Sequence, residues 1–140
     1  MQISRRTDYG FRVILHLAAL PADQRASTQD IAAQQHIPGP FLAKIVSQLS
    51  IAGLVTTHRG AAGGVALAIP PEEINLLQVI EALDGPLILN RCLIQPESCP
   101  RNEKCPVHDV LALAQQQLAS LLSVTTFDDL ASAALEKSSS

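Results

Sequence analysis

The chain has 140 residues, 47% of them hydrophobic, 16% charged and only 3% aromatic, with Ala and Leu together filling 39 positions. At about 150 residues per domain this is one compact domain, or a small domain with a helical extension, which excludes a large multidomain enzyme and, with so aliphatic a composition, a disordered tail. The net charge of −3 hides an asymmetry: residues 1–60 carry six Lys and Arg against three Asp, while residues 61–140 carry four bases against ten acids. A basic N-terminal part is the footprint of phosphate contact, although six cations in sixty residues are also an ordinary solvated surface. No apolar run approaches the roughly 18 residues of a membrane span, and the opening MQISRRTDYGF has no signal-peptide core. A cytoplasmic protein with no membrane partner is expected.

In chain order, Tyr9, Val13, Leu17 and Leu20 recur at helical spacing within residues 5–20, flanked by Phe11, Ile14, Leu15 and Ala18, and Pro21 ends this first amphipathic helix. Ser27 supplies a capping hydroxyl and Asp30 an early acid for a short second helix that stops by His36. Pro40 suits the first position of a third helix, with Phe41, Ile45, Leu49 and Ala52 predicted on one face and Gly53 at its C-terminal cap. Two short helices joined by a tight turn form a helix-turn-helix, whose second helix can enter a DNA major groove. The β-type runs Leu54–Thr57 and Val65–Ile69 around a Gly-rich turn add a wing. No helix start follows those glycines, which sets a nucleotide-phosphate loop aside.

After Pro70-Pro71, Asn75 caps a helix that runs to Asp84-Gly85. A loop of about twenty residues follows, long enough to need a special reason. From Val107, the residues Val110, Leu111, Ala114, Leu118, Leu121 and Leu122 keep helical spacing over four turns, and a helix this long at the end of a small domain predicts packing against a second copy of the chain. Thr125-Thr126 caps a last helix, Phe127 to Leu135, ahead of a short tail expected to be disordered.

The loop holds Cys92, Cys99 and Cys105, with His108 three residues beyond the last, so four soft or borderline ligands lie within 17 residues. Thiolates favour zinc or iron-sulfur centres. The gaps of six and five residues between cysteines are longer than the pairs of structural zinc sites, which leans the reading toward a cluster. Arg91, Arg101 and Lys104 place positive charge where thiolates are stabilised.

Taken together, the Arg5-Arg6-Thr7-Asp8-Tyr9 start, Gly53-Leu54-Val55, the wing Arg59-Gly60 and Gly63-Gly64, the cysteine triad and the closing Thr125-Thr126-Phe127-Asp128-Asp129-Leu130 resemble the bacterial winged-helix regulators that include the iron-sulfur assembly regulator IscR and the nitric-oxide-sensing repressor NsrR. The resemblance runs over nearly the whole chain. It implies a homodimer joined by the long C-terminal helix, a redox-active iron-sulfur cluster on Cys92, Cys99 and Cys105, and DNA affinity that follows the cluster. For the fourth ligand it offers two positions: His108, as in a two-iron cluster, which is favoured because it is local, and Asp8, from which a four-iron cluster is ligated across the dimer. A cluster of this kind can be absent from a purified sample. Two departures stand out. Val65 takes the place of an aromatic after the wing glycines, and Pro38-Gly39-Pro40-Phe41 lacks the usual hydroxyl residues at the start of the recognition helix.

The expected architecture is therefore mostly α: a winged helix-turn-helix over residues 1–84, a cysteine loop over 85–106, a dimerisation helix and C-terminal helix over 107–136, and a disordered tail over 137–140. Candidate DNA contacts are Arg5, Arg6 and Thr7 on phosphate, Phe41, Lys44 and Gln48 on the recognition helix, and His58, Arg59 and Gly60 on the wing, against double-stranded DNA with a pseudo-palindromic operator. The expected function is a transcriptional regulator, a repressor, sensing redox, nitric oxide or iron-sulfur status. Two alternatives stay open: a cluster-free regulator working through thiol oxidation, and a zinc-stapled interaction module that does not bind DNA. No nucleophile-base pair or paired carboxylates point to an enzyme.

Overall fold

The computed structural model describes residues 2–61, 63–95, 97, 100–101 and 104–138. Ser4 opens α1 (Arg5–Ala18) by accepting the Thr7 amide on its hydroxyl, and Ser27 does the same for the Asp30 amide at the start of α2 (Thr28–Gln35). α2 ends where His36 turns left-handed at φ 55°, and α3 (Gly39–Ile51) follows with Pro40 in its first turn. Gly53, at φ +80°, carries the chain out of α3 into the wing.

The wing is an antiparallel hairpin of β1 (Val55–His58) and β2 (Gly64–Leu67), pairing Val55 with Leu67 and His58 with Gly64. A bridge between Ala26 and Val65, with N–O distances of 2.9 and 2.8 Å, ties the hairpin to the segment before α2. Glycine is required here for two physical reasons. Gly64 stands at φ +145°, and a Cβ on it would lie 2.6 Å from the Ala26 carbonyl oxygen; a Cβ on Gly63 would collide with the His58 and Gly60 carbonyls. Val65, which stands where the regulators that the chain resembles carry an aromatic, is 1% exposed and packs into the core. Its inward direction follows from the bridge to Ala26.

Asn75 and Gln78 form a reciprocal capping box at the start of α4 (Leu76–Asp84). α5 (Pro106–Val124) and α6 (Phe127–Ser138) complete the chain, and the link between them pairs with the strand-like residues before α4 through Leu76 to Thr125 and Phe127 to Ile74 bonds. α6 runs beyond Leu135 into the segment expected to be a disordered tail. Lys137 in its last turn suits the helix dipole, and the Ser138 hydroxyl donates to the Leu135 carbonyl; Ser139 and Ser140 lie outside the described residues.

One core joins these elements. Val13, Ile14 and Leu17 of α1 meet Ile31, Leu42, Ile45, Leu49, Val65, Val79 and Leu83, and Phe127 of α6 closes it against Phe11 at a ring separation of 6.5 Å. The inward face of α3 is Leu42, Ile45, Val46 and Leu49. The predicted face was rotated from this one: Ile45 and Leu49 are buried, but Phe41 and Ala52 lie on the exposed side. Similarly, the buried stripe of α1 is Thr7, Gly10, Val13, Ile14 and Leu17, with Tyr9 at its edge, because Gly10 lets Val79 and Leu83 of α4 approach the backbone.

Candidate nucleic-acid interface and cysteine loop

The outward side of α3 carries Phe41 and Lys44, both exposed, with Ser47 beside them. Phe41 and Lys44 are three residues apart and Gln48 four further on, so all three share one helical face. Gln48 is half-buried, and its Oε1 is buried without a hydrogen-bond partner. Between this face and the start of α1 lies an open groove of about 630 Å³, lined by Ser4, Arg6, Phe41, Lys44, Ser47 and Gln48 among others. Cations therefore stand on both of its walls.

At the start of α1, Arg5 and Arg6 are exposed. Thr7, expected to contact phosphate, does not belong to this set: it is 0% exposed. As the third residue of α1 it sits on the face that packs inward, so its side chain has no route to a DNA backbone. On the wing, His58 closes β1 with its ring 3.3 Å from the Thr56 hydroxyl, and Arg59 and Gly60 follow it, both exposed, with Gly60 at φ +98°.

Two residues that the sequence reading passed over organise the α1 end of the groove. Asp84, the last residue of α4, accepts the Ser4 hydroxyl at 2.6 Å and the Ser4 amide at 3.4 Å, and lies 3.7 Å from the Arg6 guanidinium. Burial opposes its ionisation, but hydrogen bonds from the Ser4 hydroxyl and the Ser4 amide, together with the charge of Arg6, outweigh that and hold its pKa below the usual carboxylate value. Ser4 was legible as a helix cap. Its partner, 80 residues on, had no local signal.

The cysteine loop leaves α4 at Gly85, beside Asp84. Its first part is fastened by the Leu89 amide donating to Gln115 Oε1 of α5 at 2.8 Å. A 3-10 turn, Arg91–Leu93, is capped by the Asn90 side chain and carries Cys92. Cys105 is the capping residue of α5, and His108 lies in that helix's first turn. Across the loop, His108 Nδ1 stands 3.3 Å from Cys92 Sγ, so two predicted ligands 16 residues apart are in contact. Both are half-buried, as is Cys105, and neither Cys92 nor Cys105 is in a disulfide. Cys105 and His108 are three apart at the start of α5. Cys99 lies outside the described residues. Among the described residues no three His, Cys, Asp or Glu side chains gather closely enough to hold a metal ion, so Cys105 is not drawn into the Cys92–His108 contact. The donor chemistry of this set, thiol and imidazole at a positive helix end, suits an iron-sulfur centre.

Asp8, the other candidate ligand, is committed within its own helix. Its carboxylate accepts Arg12 at 2.8 Å, and Arg12 also donates to the Gln35 carbonyl and lies over the Tyr9 ring at 5.3 Å from the ring centre. Tyr9 in turn meets Phe41 edge-to-face, with ring centres 6.3 Å apart at 68°.

The long helix α5 has no buried residue. Leu111, Ala114, Leu118 and Leu122 are half-buried on the α4 side, while Val107, Val110, Leu113, Leu121 and Val124 are exposed. Among the described residues no helix is long and apolar enough to cross a membrane.

The profile of the Rrf2 family, described as iron-dependent transcriptional regulators, matches residues 3–133. The transcriptional regulator NsrR of Halalkalibacterium halodurans is 34% identical over 131 residues, which is 93% of this chain and 90% of that protein. Among solved structures, CymR, the global cysteine regulator of B. subtilis, superposes with a TM-score of 0.77 at 29% identity, covering 94% of this chain and 97% of that one. IscR of T. potens superposes with a TM-score of 0.74 at 25% identity, covering 96% and 88%.

Proposed function

The chain belongs to the Rrf2 family of transcriptional regulators, and on that premise we propose that it is a repressor that binds a pseudo-palindromic operator as a homodimer, with an affinity set by an iron-sulfur cluster on Cys92, Cys99, Cys105 and His108. The single observation that carries the cluster reading is the 3.3 Å contact between His108 and Cys92, which puts an imidazole and a thiol at one point from opposite ends of the loop. When bound, the cluster supplies a redox-sensitive link among these ligands, of two-iron type if His108 completes it. Asp8, already paired with Arg12, is the weaker candidate for the fourth position.

On DNA, α3 enters the major groove with Phe41, Lys44 and Gln48, the wing offers Arg59 with His58 and Gly60 to the neighbouring minor groove, and Arg5 and Arg6 lie on phosphate. The exposed apolar residues of α5, Val110, Leu113, Leu121 and Val124, support pairing with a second copy. The path from sensor to DNA is short. Drawing Cys92, Cys105 and His108 together orders a loop that begins next to Asp84, and Asp84 holds Ser4 and Arg6 at the edge of the DNA groove. A coupling of about 1–3 kcal/mol would change operator affinity roughly 5- to 150-fold.

Anaerobic purification, a visible spectrum and assays for iron and acid-labile sulfide test this reading, followed by operator binding with the cluster loaded and stripped. A brown protein with matching iron and sulfide, and an affinity that changes on stripping, is the expected result. The likeness to the cysteine regulator CymR and the unpaired state of Cys92 and Cys105 favour a second reading, a regulator that responds through its thiols. A colourless protein that resists reconstitution yet binds DNA in an oxidation-dependent way would establish that one instead. Stoichiometric zinc without sulfide would leave the loop as a structural staple.

A further inference from the structure

Phe41 is the one exposed aromatic ring on the outward side of the described part of α3, at 52% exposure, and it is held in place despite that exposure. Its ring meets Tyr9 edge-to-face at 6.3 Å, and Tyr9 is itself covered by Arg12, whose guanidinium is fixed by Asp8 and the Gln35 carbonyl. What distinguishes it from the other exposed apolar side chains is that it is braced from behind by a second ring and lines a groove with cations. Lys44 lies one turn further along the same face and Arg6 lines the same groove, so Phe41 stands between two cations that suit phosphate. The stretch Pro38-Gly39-Pro40-Phe41 has no side chain that can hydrogen-bond to a base edge. The major-groove edge of DNA presents a single apolar group, the C5 methyl of thymine.

We propose that Phe41 is a specificity-determining residue that reads a thymine methyl in the operator. This rests on the DNA-binding reading above and deepens it by naming a base. The ring fills the space beside the methyl and excludes water there, whereas cytosine, with no methyl and an amino group left unpaired against the ring, is disfavoured.

The test uses the full chain and duplexes enriched by it from a random DNA library, in which each thymine is replaced in turn by deoxyuridine. That exchange removes the methyl and keeps the base pairing. At one thymine, or at a symmetry-related pair, affinity of the unaltered protein should fall about fourfold per methyl, the factor for losing about 0.8 kcal/mol of apolar burial. Phe41→Ala should bind thymine and deoxyuridine duplexes equally, and Phe41→Leu should keep part of the difference. Enriched DNA that is bound with no sensitivity to deoxyuridine at any position overturns the inference and leaves the DNA-binding reading standing. Equal sensitivity in the unaltered protein and Phe41→Ala assigns the methyl contact to another residue and also overturns it. If no DNA is enriched, the DNA-binding reading fails and the inference falls with it.

Discussion

Helix α1 buries five of its 14 residues, whereas α5, the longest helix at 19, buries none. Both sequences are amphipathic and both place leucines at helical spacing, yet α1 lies against α2, α3, α4, α6 and β2 while α5 contacts chiefly α4 and the turn bearing Cys92. The difference teaches that this chain divides its hydrophobic stabilisation unequally. The winged helix is finished within one copy; the cysteine loop and α5, the sensor arm of the proposed function, leave apolar surface for something else to cover.

The widest separation between the two regions should appear on truncating a leucine-sized side chain in each. Ile14→Ala removes a fully buried side chain and should cost about 2–5 kcal/mol in denaturant unfolding. Leu121→Ala, at 62% exposure, should change unfolding by no more than about 0.5 kcal/mol in dilute solution, and instead weaken self-association in sedimentation at higher concentration. Equal destabilisation by the two substitutions in dilute solution would erase the contrast.

The wing comes next. Gly64→Ala forces a Cβ onto a residue at φ +145° with the Ala26 carbonyl oxygen 2.6 Å away, and backbone on both sides cannot yield cheaply. A loss of about 1–3 kcal/mol is expected, with a larger loss of DNA affinity because the shift moves Arg59. The same change at Gly53, which has open space around its missing Cβ, should disturb only the local backbone. If both variants behave alike in DNA binding, steric fixing of the wing is not what positions Arg59.

These residues also show how far the sequence could be read. Caps and breakers gave α2, α3 and α4 nearly to the residue, because Ser27, Pro40 and Asn75 act on atoms within three positions of themselves. The wing was legible from its glycines for the same reason. The rotation of the buried face of α3 was not, since Phe41 is as apolar as Leu42 and only the placement of α1 decides which of them turns inward. Thr7 was assigned to phosphate from its basic neighbours, and its burial depends on α4 packing over Gly10. The Cys92–His108 contact was foreshadowed by ligand type and spacing, but Asp84 needed the fold, because its partners Ser4 and Arg6 come from the far end of the chain.

A smaller effect tests the joint between winged helix and sensor arm on its structural side. Asn75→Ala removes the acceptor for the Gln78 amide and breaks the capping box of α4, the helix that both regions share. Unfolding free energy should fall by about 1 kcal/mol. Because α4 frays from its start, near Leu76, the Asp84 end should keep its bonds to Ser4, and the change in DNA affinity should stay within the loss of stability. A drop in DNA affinity far beyond it would place the coupling at the beginning of α4.

The finest discrimination is by pH. Burial lowers the pKa of His16 against an opposing pull from Asp30, so stability is full above the ordinary histidine value of about 6.5 and declines below it as the unfolded chain takes up the proton. Asp84 also has a lowered pKa, so its contribution is present above the ordinary carboxylate range and is lost only as pH falls through its depressed folded value. Asp84→Asn should therefore be destabilised relative to the parent at pH 7, with the gap closing in strong acid, and by well under about 1 kcal/mol because the Asp84 and Arg6 side chains remain 24% and 48% exposed. Its larger signature should be functional: Ser4 and Arg6 lose their charged partner, and the affinity difference between cluster-loaded and cluster-stripped protein shrinks while cluster binding itself is retained. Retention of the full difference in Asp84→Asn would mean that the sensor arm reaches the DNA face by another route, through α5 and the second copy.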